Sequence, residues 1–402
     1  MGLFLTKTEQ AMLGGEHGLA VQRAMEIIVA LAKIYDAQKL VEINSVQVAG
    51  VSYKNLGPAG LDFLREWAGQ GARVRASTTL NPAGMDLTQW SALGFSRDFA
   101  RQQQAVLEAY AAMGIELSCT CTPYLIGNRP RYGEHIAWAE SSAVSFANSA
   151  LGARTNREGG PSALAAAICG RTAAYGLHLD ENRVSHCRID VYCPLAGAAD
   201  WSALGYLIGR TRCAVPYLVL HAQASSPTLD DLKSLGAAMA ASGAQALYHI
   251  AGVTPEAQRA DMLAAGAQTI AIRDLAPGYA ALNDSAGAVD LVSIGCPHAS
   301  KAEIAQIAAL LQGKRVKCAL WITTARKIRE EMRDALGLIQ AAGGRVVADT
   351  CLVVAPVEQL GFKVMATNSA KMAFYTPSHS GLRVRFGSLA QCLEAAISGV
   401  WR

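Results

Sequence analysis

From about residue 188 to residue 349, strand-like runs alternate with helix-length stretches, and this alternation limits the fold more than any other property of the chain. The strand candidates are Cys187–Cys193, Pro216–His221, Ala246–Ile250, Gln268–Ile272, Asp290–Gly295, Lys317–Ile322 and Arg345–Asp349. Stretches such as Thr228–Ala241, Lys301–Leu311 and Ala325–Ala342 carry the three-and-four apolar spacing of helices between them. A helix between two strands returns the chain to the end of the sheet it left, so the second strand runs parallel to the first. The expectation is an α/β fold with mostly parallel sheets and several subdomains. Composition shifts near 190–205 and 280–290, which places subdomains at 1–195, 196–285 and 286–402.

The first half is less regular. Thr6 to Tyr35 reads as one helix, Leu40–Val48 as a strand, and Pro58–Gln70 as a helix. Ala72–Leu80 reads as a strand, Ser96–Met113 as a helix, and Met113–Ser118 as a strand that stops before Pro123. A helix is expected from about Glu134 to Ala150, and a small-residue helix over Ser162–Cys169.

The 402 residues are 51% hydrophobic and 17% charged, enough to bury a large core and too apolar for disorder. The net charge of +4 is spread among acidic residues without a like-charged block, which excludes a nucleic-acid footprint but admits a small anion. The N-terminus has no signal-peptide core, and no uncharged apolar run reaches membrane-spanning length. With ten cysteines and no secretion signal, the chain is expected in the reducing cytoplasm, where metal binding explains thiols better than disulfides do.

Ligands of open parallel sheets gather beyond the carboxyl ends of the strands. Three such ends carry cysteine: Cys119 and Cys121 after Ile115–Leu117, Cys296 after Leu291–Ile294, and Cys351 after Val346–Ala348. Read by itself, Cys119-Thr-Cys121 suits a buried core pair as well as a metal or redox pair. Three separated thiolates together can hold an iron–sulfur cluster and leave one iron open as a Lewis acid. Cys169, Cys318 and Cys392 sit in apolar runs and read as core; core is preferred for Cys187, Cys193 and Cys213. Other strand ends bring Gly50, Val51, Ser52, Lys54, Asn81 and Pro82. His298 reads as a ligand, a proton carrier or a plain helix-start residue. His135, near Glu140, is taken as a substrate contact. Arg154 and Arg157, ahead of Gly159-Gly160-Pro161 and a helix start, suit a carboxylate or phosphate. Lys371 stands in a small uncharged run, either facing solvent or paired with an anion near the site.

Eight stretches carry a resemblance. They are Val48-Ala-Gly50-Val-Ser-Tyr-Lys-Asn-Leu-Gly57, Thr79-Leu-Asn-Pro-Ala-Gly84, Cys119-Thr-Cys-Thr-Pro-Tyr124, Glu134-His-Ile-Ala-Trp138, Gly152-Ala-Arg-Thr-Asn-Arg-Glu-Gly-Gly-Pro-Ser162, Gly295-Cys-Pro-His298, Val347-Ala-Asp-Thr-Cys351 and Thr367-Asn-Ser-Ala-Lys371. In this order, across essentially the whole chain, they resemble the large subunit of the aconitase X family. The resemblance implies a hydro-lyase of three-layer α/β/α, aconitase-like architecture with an iron–sulfur cluster, [4Fe-4S] being favoured. It implies that Cys121, Cys296 and Cys351 are the ligands and that Cys119 is a neighbour. Gly50, Val51, Ser52, Asn81, Pro82, Glu140, Ser141 and Lys371 would line the substrate site, with Glu140, Ser141 and Lys371 as its catalytic groups. Glu140 would ligate iron or reprotonate the leaving oxygen.

Aconitase-like enzymes also need a small swivelling domain with a Gly-Ser-Ser stretch, whose serine is the base. This chain has none, so a separate small subunit is expected as partner, and the chain alone is expected to be inactive. The family has two substrates. The Asn156–Ser162 segment is closer to the two-subunit type that dehydrates mevalonate 5-phosphate. The Ala- and Arg-rich composition looks bacterial, and on that ground the narrower expectation is dehydration of cis-3-hydroxy-L-proline to a pyrroline-2-carboxylate. The rivals are a non-catalytic iron–sulfur module and a cluster-free protein with buried thiols.

Overall fold

The computed structural model of the chain describes residues 2–222, 226–285 and 287–402. Three groups of strands follow one another in sequence. In the first, β1 (Leu40–Glu42) pairs antiparallel with β5 (Arg171–Ala173). Also in this group, β2 (Ser45–Val48), β3 (Ser77–Leu80) and β4 (Ala137–Trp138) lie parallel in the order β3-β2-β4. The second holds β6 (Ser185–Val191), β7 (Pro216–Leu220), β8 (His249–Ile250) and β9 (Leu263–Ile272), parallel in the order β8-β7-β6-β9. The third holds β10 (Leu291–Ala299), β11 (Ala319–Thr324), β12 (Arg345–Ala348), β13 (Val364–Thr367) and β14 (Arg383–Phe386). They run parallel in the order β12-β11-β10-β13-β14.

The third sheet shows how the sequence forces layers. Val292, Ile294, Leu320, Ile322 and Val346 pack with Ile304, Ile307, Ile339 and Leu393 from helices on one side. Leu291, Trp321, Val347 and Met365 face the opposite core, with Met372 and Ala373 of the helix Ala370–Ser380. Successive strand residues point to opposite faces, so strands apolar at both parities must be covered twice. Each such Val, Leu or Ile stabilises the fold by about 1.5–3 kcal/mol when fully buried. The architecture is α/β with mostly parallel sheets, helices covering both faces of the third.

Several expected elements are redrawn. The helix over Thr6–Tyr35 is two helices, Lys7–Leu13 and Leu19–Ile34. Gly15 and Gly18 separate them with φ of 87° and 94°, a conformation that favours glycine. Met113–Ser118 forms a single bridge, Glu116 to Thr79, rather than a strand. The expected helix from Glu134 contains β4 first, and the helix begins at Ser141. Cys187 and Cys213, taken as core thiols, are buried but joined by a disulfide with Cα atoms 5.8 Å apart. Strand β6 is an inner strand of the second sheet. We therefore place the first boundary between residues 173 and 185 and not at 195; the expected boundary at 286 falls on a residue outside those described. Among the described residues no helix is long and apolar enough to cross a membrane.

Candidate active site

Strand order in the third sheet reverses between β10 and β13, and a parallel sheet opens a crevice at such a point. Cys296 stands near the carboxyl end of β10, and Lys371 lies just past β13 in the first turn of the next helix. The first sheet turns its own carboxyl ends to this crevice: Ala49 after β2, Asn81 and Pro82 after β3, Glu140 after β4. The two ends are stitched together where Ala83 bridges Thr350, with the Ala83 N–H donating to the Asp349 carbonyl at 2.7 Å. Between them lies a cavity of about 350 Å³. Asn81, Pro82, Cys121, Glu140, Ser141, Arg157, Cys296, Cys351 and Lys371 all line it. A wider recess of about 710 Å³ lies at the amino ends of β2 and β3, against residues 127–134. It holds no thiol, so volume does not select the site.

Backbone geometry delivers the thiols. Gly295 has φ 97°, and a Cβ there would stand 2.2 Å from the Thr323 carbonyl, so only glycine lets the chain reach Cys296 on this path. Cys121 follows Thr120, whose N–H donates to the Leu80 carbonyl and whose own carbonyl accepts from Gln47 Nε2 at 2.9 Å. Cys119 adopts φ 42° and turns into the first core, away from the cavity. Burial pushes the Cys121 thiol above its usual range, and Glu140 adds to the shift. Cys296 and Cys351 share a hydrogen bond, which raises Cys296 and lowers Cys351.

Lys371 and Glu140 form a buried ion pair. Burial opposes both charges. Lys371 nevertheless holds the Glu140 carboxyl below its usual value, and Glu140 with the nearby thiols holds Lys371 protonated. Both Glu140 oxygens are engaged: one by Lys371, the other by the Ser142 hydroxyl at 2.5 Å and the Ala143 N–H at 2.7 Å. Glu140 thus caps the helix Ser141–Ser149, accepting each of these bonds. Lys371 spends one proton on Glu140 and one on Ser142 at 3.1 Å, leaving the third of its three for the cavity. Arg157 is exposed, lines the cavity and has no acidic partner among the described residues.

Other expected site residues are placed elsewhere. His135 bonds His178 at 2.9 Å, and Arg154 pairs with Asp180 and the His178 carbonyl. Both belong to a structural knot at the amino end of β4. Gly50, Val51 and Ser52 are bracketed by Ala49 and Asn55, which line the cavity, but do not line it themselves. The Ser52 hydroxyl instead donates to the Val354 carbonyl at 2.7 Å, and Lys54 pairs with Glu358. They hold the Cys351 loop in place. Reading by residue missed Val353, Val354, Tyr375 and His379 in the lining. His379 sits eight residues after Lys371, about two helical turns on, a spacing that would have placed both on one face.

Among the described residues no three His, Cys, Asp or Glu side chains close on a single ion. Three thiols lining one cavity fit a larger body that bridges them, and an iron–sulfur cluster is such a body. Asn81 Oδ1 and Thr350 Oγ1, buried beside the cysteine loops, have no partner among the described residues, which also fits a guest in the cavity. His298 is fully buried behind the cysteines, and burial brings its pKa down to about 4. Its Nε2 faces the Thr350 carbonyl at 2.9 Å, so Nε2 carries the proton and Nδ1 accepts from the Thr120 hydroxyl at 2.9 Å.

Three family models match in sequence: aconitase X first domain over residues 2–181, second domain over 185–276 and third domain over 289–398. The phosphomevalonate dehydratase large subunit of Methanothermobacter thermautotrophicus is 51% identical, covering 94% of this chain and 95% of that protein. The cis-3-hydroxy-L-proline dehydratase of Pseudomonas aeruginosa is 39% identical, covering 97% of this chain but 69% of that longer protein. A crystal structure titled Thermococcus kodakaraensis aconitase X (holo-form) superposes with a TM-score of 0.90 at 45% identity, covering 98% of this chain and 100% of that one.

Proposed function

The chain belongs to the aconitase X family and is a dehydratase large subunit, and from that premise we propose that, with a small subunit, it removes water from mevalonate 5-phosphate. This reverses the narrower expectation of cis-3-hydroxy-L-proline. What carries the reading is the balance of relatives. Phosphomevalonate dehydratase large subunits match end to end, at 45–51% identity in three methanogens and a Thermococcus and at 35% in Aeropyrum pernix, whereas the hydroxyproline enzymes match at 37–39% and extend well beyond this chain.

The charges at the cavity agree. Mevalonate 5-phosphate is anionic at both ends, and the cavity offers two cations, Lys371 within and Arg157 at the wall. Hydroxyproline carries an ammonium group, for which an unpaired arginine is a poor neighbour. Lys371 directs its remaining N–H to the substrate carboxylate, and the Asn81 amide lines the same cavity. Neutralising that carboxylate stabilises the charge that develops as the α-proton leaves. The N-terminus of the helix at Ser141 adds partial positive charge. Glu140 fixes Lys371 in place. Because Glu140 and Lys371 are spent on each other, the proton acceptor is assigned to the small subunit. Cys121, Cys296 and Cys351 would hold an iron–sulfur cluster, of the [4Fe-4S] type in this reading, which supplies a Lewis-acidic iron for the departing hydroxyl.

The test is to copurify the chain anaerobically with its small subunit and offer both substrates. The reading expects dehydration of mevalonate 5-phosphate alone. Turnover of cis-3-hydroxy-L-proline with mevalonate 5-phosphate untouched would overturn it.

A further inference from the structure

The three thiols come from loops that no single element holds, and one buried side chain touches all of these loops. His298 lies two residues past Cys296 on β10. Its Nδ1 bonds Thr120 Oγ1, next to Cys121, across 178 residues of sequence. Its Nε2–H donates to the carbonyl of Thr350, next to Cys351, across 52 residues. Its backbone N–H donates to Cys121 Sγ itself at 3.2 Å. The anchoring continues outward. Thr120 Oγ1 also accepts the Thr122 N–H, and the His298 carbonyl accepts Lys233 Nζ at 3.3 Å. Lys233 is in turn buried between Asp230 and Glu303 at the start of the helix Lys301–Leu311.

We infer that His298 is a positioning residue that ties the Cys121 and Cys351 loops to the strand bearing Cys296 and so sets the spacing of the three thiols. The inference rests on the reading that these thiols hold the cluster. An imidazole suits the task because its two nitrogens point in fixed opposite directions and serve one hydroxyl and one carbonyl at once. Partners that orient ligands from outside the first shell govern metal retention: their loss costs about 10- to 100-fold in affinity. An aliphatic side chain here would take the ring partner from the Thr350 carbonyl in a dry interior and leave the Thr120 hydroxyl bonded only within its own loop, to Thr122, so that nothing ties the two loops to β10 through this position.

The test compares anaerobically purified parent chain with His298→Ala, His298→Gln and, as a control for losing any buried histidine, His249→Ala. His249 is as buried as His298 but bonds the Arg183 carbonyl in the second sheet. The first readout is the rate at which iron passes to excess chelator. The second, on iron-free protein, is the alkylation rate of each cysteine by mass spectrometry. His298→Ala is expected to release iron about 10-fold faster and to alkylate faster at Cys121 and Cys351 but not at Cys392. His298→Gln, which keeps a donor and an acceptor, should recover most of both. Parent-like rates in His298→Ala, or the same acceleration in His249→Ala, would overturn the inference. Should His298→Ala fail to fold, Thr120→Val removes one of the two imidazole bonds together with the Thr120 bonds to Thr122, and Thr120→Ser restores all of them; faster iron release in Thr120→Val than in both Thr120→Ser and Thr122→Val upholds the tie, and release no faster than in Thr122→Val refutes it. A parent chain that binds no iron would sink the cluster reading, while the alkylation rates still decide whether His298 orders the loops.

Discussion

The second and third sheets share one strand order over their first four strands, β8-β7-β6-β9 and β12-β11-β10-β13, so each opens a crevice where the order reverses. The two crevices are filled in opposite ways. Past β6, β7 and β9 stand Tyr192, His221 and Arg273, which close on one another. The Tyr192 and His221 rings stack at 4.5 Å, Arg273 covers Tyr192 at 4.3 Å, and His221 bonds Asp190 at 2.9 Å. Past β10 and β13 the side chains leave a cavity between them. Three thiols line a cavity, and Lys371 keeps one proton unspent. Topology provides the crevice; side chains that leave valence unsatisfied turn it into a site.

The sharpest way to break this contrast is at the thiols. Cys296→Ser is expected to abolish iron retention and turnover, whereas Cys318→Ser, just before β11 and beside the Ala395 carbonyl, should keep both. Equal iron content in the two would end the distinction. Next comes the lysine. Lys371→Met should lower kcat by about a thousandfold or more if it neutralises the substrate carboxylate (about 4 kcal/mol). It should also destabilise the fold by about 3–5 kcal/mol, because Glu140 is left charged and buried. Adding Glu140→Gln should restore stability, read as the urea midpoint, without restoring turnover.

Acid separates the same pair from the rest. Glu140 has its pKa lowered in the folded state from an ordinary value of 4.5. Its contribution is therefore fully present above that value and is lost as pH falls from there through the folded pKa. Glu140→Gln should flatten this part of the stability curve; a curve that keeps the parent's slope would show that the pair does not set it. The smallest effect belongs to the closed crevice. Tyr192→Ala or Arg273→Ala should cost about 1 kcal/mol or less and leave kcat and KM at parent values. A loss of turnover there would mean that the second crevice takes part after all.

Much of this centre was legible before any coordinates. Cys296, Cys351, Asn81 and Pro82 could be named because strand ends in a parallel fold announce where ligands gather, and strands are local in sequence; the pair Cys119 and Cys121 was named with them, but only the family resemblance chose Cys121. What stayed hidden depends on partners far apart in the chain. Glu140 and Lys371 are 231 residues apart, and nothing near Glu140 shows that it caps a helix and anchors a lysine. His298 was read with three roles open because its two ring partners belong to other loops. His135 and Arg154 looked like substrate contacts by their polar neighbourhood, but His178 and Asp180 claim them. Strands β13 and β14 went unread because they lie past residue 349, beyond the stretch in which strand-like and helix-like runs alternate.

The central claim is that the site is a meeting of three segments far apart in the chain and not a local Cys-Thr-Cys pair, and the iron and sulfide content of Cys121→Ser against Cys119→Ser tests it most directly. Cys119 is fully buried with its side chain in the first core, while Cys121 lines the cavity. The account predicts that Cys119→Ser, purified anaerobically, retains iron and sulfide at the parent level and that Cys121→Ser loses them. Loss in both, or loss in Cys119→Ser alone, would contradict it.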